Sequence, residues 1–136
     1  MRAFIVLAML VGLLPGCVTT GSKYAASVSP LKVDFAFDGG GCLTSGPSPE
    51  IHVVGVPTGT KQLKARMVDL DSVGYNHGGG SIVYAGGNRI PAGALSSYKG
   101  PCPPAGQSHT YEITVQALDA QGVVIGEGKA RSLHSR

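Results

Sequence analysis

Tyr98-Lys99-Gly100-Pro101-Cys102-Pro103-Pro104-Ala105-Gly106-Gln107-Ser108-His109-Thr110-Tyr111 runs directly into Glu112-Ile113-Thr114-Val115-Gln116-Ala117-Leu118-Asp119. Three prolines fix φ and remove backbone donors, while Gly100 and Gly106 permit turn geometry at either end, so the first half is a stiff loop. From Tyr111 onward, Tyr111, Ile113, Val115 and Ala117 alternate with Glu112, Thr114 and Gln116, the period of a half-buried strand. Counting that parity backwards places His109 on the apolar side too. A histidine and a tyrosine at the mouth of a buried face, beside a donor-poor loop, are the makings of a shallow polar pocket.

Upstream, residues 62–70 repeat the pattern: Leu63, Ala65 and Met67 share one face, Lys64 and Arg66 the other, and Asp69 falls on the apolar parity, with Asp71 two residues on. A carboxylate ending an inward row needs hydrogen-bond or cationic partners, which points to a partly open polar site. Tyr75-Asn76-His77-Gly78-Gly79-Gly80 follows, and its glycines suit either an anion-binding nest of N–H groups or a flexible hairpin. Taken alone, His109 and Tyr111 fit a hydrogen-bonded core histidine and a strand aromatic, and Asp69 and Asp71 fit a turn cap. His52 and His134 read as surface residues.

Further strands are expected over residues 31–37 and 51–56, in a short apolar piece at 81–84, and over 123–125; residues 85–97 are turn-rich and 126–136 form a poorly defined tail. With 21 glycines, 9 prolines, 6% aromatic residues and no tryptophan, the composition suits a compact, turn-rich β domain. The net charge of +3 is small and its basic residues are scattered, which excludes a nucleic-acid footprint.

Residues 1–16 read as an export signal, with Arg2 as the positive n-region and an apolar run from Phe4 to Leu14 too short to span a bilayer permanently. Leu14-Pro15-Gly16-Cys17 looks like a bacterial lipobox, so Cys17 is the expected lipidation site, carrying diacylglycerol and an N-acyl chain such as palmitate. Several acyl chains give stable anchoring where one binds only marginally. The expected organisation is a lipoprotein signal peptide over 1–16, a flexible tether over 17–30 and a single β domain over 31–136. The expected location is the bacterial cell envelope, periplasm-facing, with the outer membrane favoured because Val18 follows Cys17. Two cysteines then remain in an oxidising compartment, and Cys42 and Cys102 are either a disulfide or two buried thiols, the bridge being favoured.

In order, Ser48-Pro49, Pro57 with Gly59-Thr60-Lys61, Asp69 with Asp71, His77, Ile90-Pro91, Gly100-Pro101-Cys102-Pro103-Pro104, His109-x-Tyr111 and Ala117-Leu118-Asp119 resemble the phosphatidylethanolamine-binding protein family, in its bacterial Raf-kinase-inhibitor-like branch. The Gly-Pro-Cys-Pro-Pro run followed by His-x-Tyr is the most specific match. The resemblance implies an all-β sandwich of two antiparallel sheets with little helix. It also implies a small pocket for phosphate-type anions or phospholipid headgroups, formed by Asp69, Asp71, His77, His109 and Tyr111, with Gly100, Pro101, Cys102 and Pro103 as its wall. The chain departs from the family where Asp69-Leu70-Asp71-Ser72-Val73 stands in place of the usual Asp-Pro-Asp-Ala-Pro, without either proline, and where Gly78 rather than an aromatic follows the histidine. The resemblance implies a binding protein with no catalytic residue, metal or cofactor, and the lipobox separately implies attachment to a membrane through Cys17. An alternative is an envelope protein that binds or inhibits another protein. A metal-dependent hydrolase using His77, His109, Asp69 and Asp71 is chemically conceivable. No Gly-x-Ser-x-Gly nucleophile elbow occurs to support acyl hydrolysis.

Overall fold

A computed structural model describes residues 21–136. Eight strands follow in order: β1 (Tyr24–Pro30), β2 (Lys32–Phe35), β3 (Ile51–Val54), β4 (Gln62–Asp69), β5 (Gly79–Val83), β6 (Arg89–Ile90), β7 (Ser108–Leu118) and β8 (Val124–Ser135). They form a five-stranded sheet ordered β1-β8-β7-β4-β5 and a three-stranded sheet ordered β2-β3-β6. Among the described residues there is no helix, and the fold is the all-β sandwich expected. One refinement applies: β1 runs parallel to β8, so the larger sheet is mixed, while every other pairing is antiparallel.

The alternation read from the sequence is what fills the sandwich. Leu63, Ala65 and Met67 of β4 and Tyr111, Ile113, Val115 and Ala117 of β7 are buried together with Phe35, Ile51, Val53 and Ile90 of the smaller sheet. Each Val, Leu, Ile, Phe or Met among them, fully buried, stabilises the fold by about 1.5–3 kcal/mol relative to leaving it exposed. β4 and β7 pair without a break from Gln62 with Leu118 to Asp69 with Tyr111. This unbroken register carries Asp69 and His109 to the same end of the sheet.

Two expectations fail. Residues 24–30, expected within the mobile tether, are β1, held at the sheet edge by main-chain bonds such as Val124 N–H to Lys23 O and Leu31 N–H to Glu127 O. Its sequence, Tyr24-Ala25-Ala26-Ser27-Val28-Ser29-Pro30, carries no apolar period, because pairing rather than burial fixes this strand. The expected signal peptide (1–16), Cys17 and the first tether residues lie outside the described residues. The expected tail at 126–136 is instead most of β8, which pairs with β7 along its full length. Gly126 and Gly128 hide it: glycine weakens an isolated strand, but a Cβ at Gly128 would collide with the Leu31 carbonyl where the chain passes from one sheet to the other.

Candidate functional site

Asp69 closes the inward face of β4 with 3% of its surface exposed. Its Oδ1 accepts the N–H groups of Asp71 (2.9 Å) and Ser72 (3.0 Å), which bends the chain out of the strand. Its Oδ2 accepts from His109 Nδ1 at 2.7 Å and lies 4.0 Å from His77 Nε2. His77 is fixed by a reciprocal clamp: its Nδ1 donates to Lys99 O at 2.9 Å, and its own carbonyl accepts the Lys99 N–H at 2.9 Å. Both imidazoles therefore have Nδ1 committed inside the protein. Nε2 of His77 faces the Asp69 carboxylate, and Nε2 of His109 makes no hydrogen bond among the described residues.

The wall is the proline loop. Leu43 N–H donates to Pro101 O at 2.8 Å, Gly100 N–H donates to Thr44 O at 3.4 Å, and a disulfide joins Cys42 to Cys102, as favoured from the sequence. Gly100 is required here because a Cβ would strike the Leu43 carbonyl. A cavity of about 340 Å³ opens between these parts, lined by Thr44, Asp69, Ser72, Tyr75, His77, Gly100, Cys102, Pro104 and His109. Tyr75 lies against His77 with ring centroids 4.6 Å apart.

Five of the nine expected site residues thus line the cavity: Asp69, His77, Gly100, Cys102 and His109. Pro101 and Pro103 are fully buried behind it and hold the loop rather than touch a ligand. Asp71 also stands outside the lining; its Oδ2 accepts the Thr110 N–H at 2.7 Å and ties the bend after β4 to β7. Tyr111 is fully buried beneath, its ring edge-on to His77 (5.3 Å) and Phe37 (5.5 Å). The glycine nest does not form: Gly78 N–H donates to Asn76 Oδ1, Gly79 N–H to Ser97 O, and Gly79 and Gly80 belong to β5. His134, expected at the surface, is buried and donates from Nε2 to Gly41 O at 2.7 Å, because its register with His109 turns it inward. Thr44, Ser72, Tyr75 and Pro104 were missed. Only Tyr75, an aromatic two residues before His77, carried a sequence signal.

Burial raises the pKa of Asp69, but the hydrogen bonds from His109 and the Asp71 amide outweigh it and hold the carboxyl below its ordinary range. Tyr111 is pushed up by burial and by the neighbouring Asp69 and Asp71 charges, so its phenol stays protonated. Its buried hydroxyl has no well-formed hydrogen-bond partner. The site is therefore a fixed carboxylate ringed by N–H and O–H groups. Among the described residues, no group of His, Cys, Asp or Glu is arranged to hold a metal ion. Asp69 and His109 bond to each other instead of converging on a shared centre.

A larger groove, of about 410 Å³, crosses the solvent face of the five-stranded sheet between Lys64, Arg66, Glu112 and Lys129. Hydrogen bonds from Lys129 (3.0 Å) and Arg131 (2.9 Å) hold the Glu112 carboxyl below its ordinary range. This is the charged outer alternation of β4, β7 and β8, away from the imidazoles.

Comparison with known proteins bears on the pocket end of the chain. Residues 76–134 match the family profile described as phosphatidylethanolamine-binding protein, a segment that includes His77, the proline loop, His109 and Tyr111. No curated protein matches the sequence. Among solved structures, CT736 of Chlamydia trachomatis, described as a homolog of phosphatidylethanolamine-binding protein, is 18% identical with a TM-score of 0.57; the match covers 82% of this chain and 99% of that one. YbcL of E. coli, described as a new member of the mammalian family, is 20% identical with a TM-score of 0.55, over 78% of this chain and 98% of its own. Over residues 76–134 the chain is similar in sequence to the phosphatidylethanolamine-binding protein family, and its fold is that of CT736 and YbcL.

Proposed function

We propose that the protein is a non-enzymatic binder of phosphate-type anions or phospholipid headgroups, tethered to an envelope membrane through lipidated Cys17 with its pocket on the periplasmic side. The observation that carries the reading is that His77 and His109 line one cavity, each with Nδ1 held by an internal acceptor, so that a ring also protonated at Nε2 can donate a charge-assisted hydrogen bond to an oxyanion there. The competing idea, a carboxylate receiving a headgroup amine, fits less well. Asp69 already accepts from two amides and an imidazole, and Asp71 from the Thr110 amide.

Calorimetry with inorganic phosphate tests the proposal. Binding in the micromolar-to-millimolar range is expected for the wild-type chain, and His109→Ala should weaken it at least tenfold, the order of one lost hydrogen bond to a charged group. No heat of binding to the folded wild type would reject the reading.

A second reading, contact with another envelope protein through the pocket end, draws on exposed apolar residues there. Val73, in the bend after β4, is 73% exposed, and Leu133, beside Thr110 on β8, is 65% exposed. Capture of an envelope protein by the wild type but not by Val73→Asp would favour it.

A further inference from the structure

We propose that the Cys42–Cys102 bridge is a thiol–disulfide exchange site for a protein dithiol, with Cys42 the sulfur attacked and Cys102 the leaving thiolate. The two sulfurs are not equivalent. Cys42 is exposed, whereas Cys102 is partly covered and sits between the buried Pro101 and Pro103. The Arg136 guanidinium reaches to 3.7 Å from Cys102 Sγ, and Thr44 Oγ1 lies 3.1 Å from Cys42 Sγ. Exchange is faster when the departing thiolate is stabilised, and a neighbouring cation does this.

The chemistry balances with a dithiol as co-reactant. Its thiolate attacks Cys42 Sγ, a mixed disulfide forms, the bridge breaks, and the electron pair leaves on Cys102 Sγ beside Arg136. The second thiol of the reductant then attacks the mixed disulfide, leaves oxidised as its own disulfide, and returns Cys42 as a thiol hydrogen-bonded to Thr44. Both cysteines end reduced and the reductant oxidised by the same two electrons.

The bridge also bears on ligand binding. Cys102 and Thr44 line the cavity from opposite sides of the link, and the remaining ties are the Leu43-to-Pro101 and Gly100-to-Thr44 hydrogen bonds. Opening the bridge frees the wall to move and places a thiolate where an anion would sit. This half of the proposal rests on the anion reading of the pocket. By linkage, whatever factor reduction removes from anion affinity is the factor by which a bound anion resists reduction.

The test uses the purified full-length oxidised chain, with glutathione as the monothiol probe and mass mapping of the trapped adduct. The mixed disulfide is expected on Cys42; an adduct chiefly on Cys102 overturns the assignment. Arg136→Gln should slow reduction by dithiothreitol by about threefold or more, with Arg136→Lys restoring the rate, since a thiolate neighbour must be cationic. An unchanged rate in Arg136→Gln overturns the role of Arg136. Phosphate titration of oxidised and reduced chains completes it: weaker binding to the reduced chain is expected, and equal binding ends the gating. If neither form binds phosphate, the pocket reading falls, while the adduct map still decides the exchange site.

Discussion

Asp69 and Tyr111 are register partners across β4 and β7, so a carboxylate and a phenol rise from the same rung of the sheet into its buried face. The carboxylate is well satisfied, while the hydroxyl has no well-formed partner. Leaving a buried donor unmade costs about 1–3 kcal/mol. Tyr111→Phe should therefore hold or raise stability and, because the hydroxyl lies beneath the cavity rather than in its lining, leave phosphate affinity unchanged. Chemical denaturation beside calorimetry checks the pair of effects, and a loss of stability would show that the hydroxyl is bonded to a neighbour after all.

Asp69→Asn probes the other half of the rung. The depressed pKa of Asp69 means that its ionised form is favoured by folding, so its contribution is present above the unfolded value of about 3.9 and is lost as pH falls through the lower folded value. At pH 7 the variant should be less stable by about 1–3 kcal/mol, because an amide cannot reproduce the charge-assisted bond from His109. Urea midpoints at pH 7 and pH 3 should show the gap narrowing on acidification. A constant gap would mean that shape, not charge, is what Asp69 supplies.

The strands of the core were legible because their burial is one-sided. Alternation in residues 62–70 and 111–119 marks β4 and β7, and the parity count that put Asp69 and His109 on the inner face holds to the last rung. What stayed hidden is fixed by partners rather than by pattern. β1 has no apolar period because it is an edge held by backbone bonds, and β8 is disguised by glycines that its crossing with Leu31 demands. Of the site, residue type and parity marked the stiff loop and put Asp69 and His109 on the inner face, while their use as a pocket, and the place of His77 in it, came from the family resemblance. Thr44 was not legible, since its loop reaches the wall only through long-range ties, the Cys42 bridge and the Leu43-to-Pro101 and Gly100-to-Thr44 hydrogen bonds. Asp71 was assigned to the pocket because a side chain's position two residues past a strand depends on a bend that no period foretells.

Anion binding should be coupled to proton uptake. With Nδ1 of His77 and His109 donating to Lys99 O and Asp69, an Nε2 that donates to an anion must carry a second ring proton. Sulfate is the suitable probe, since its own charge is constant near neutral pH. Its binding should be accompanied by net proton uptake. Calorimetry in two buffers of different ionisation enthalpy measures that uptake, and equal apparent enthalpies would show that neutral donors suffice.

Gly100 offers a test of the wall itself. An added Cβ would meet the carbonyl oxygen and carbon of Leu43, backbone atoms that cannot swing aside as a flexible side chain can. The same loop contains Gly106, where a Cβ would meet nothing within 4 Å but φ is +76°. Gly106→Ala should cost about 1 kcal/mol through backbone strain alone and leave the pocket intact. Gly100→Ala should cost about 1–3 kcal/mol, because Leu43 must move away from Pro101 and carry Thr44 and the cavity rim with it. Thermal unfolding combined with phosphate titration separates the two: the first variant should bind as the wild type does, the second less tightly. Wild-type binding by a destabilised Gly100→Ala would show that the pocket does not depend on the closeness of its wall to residues 42–44.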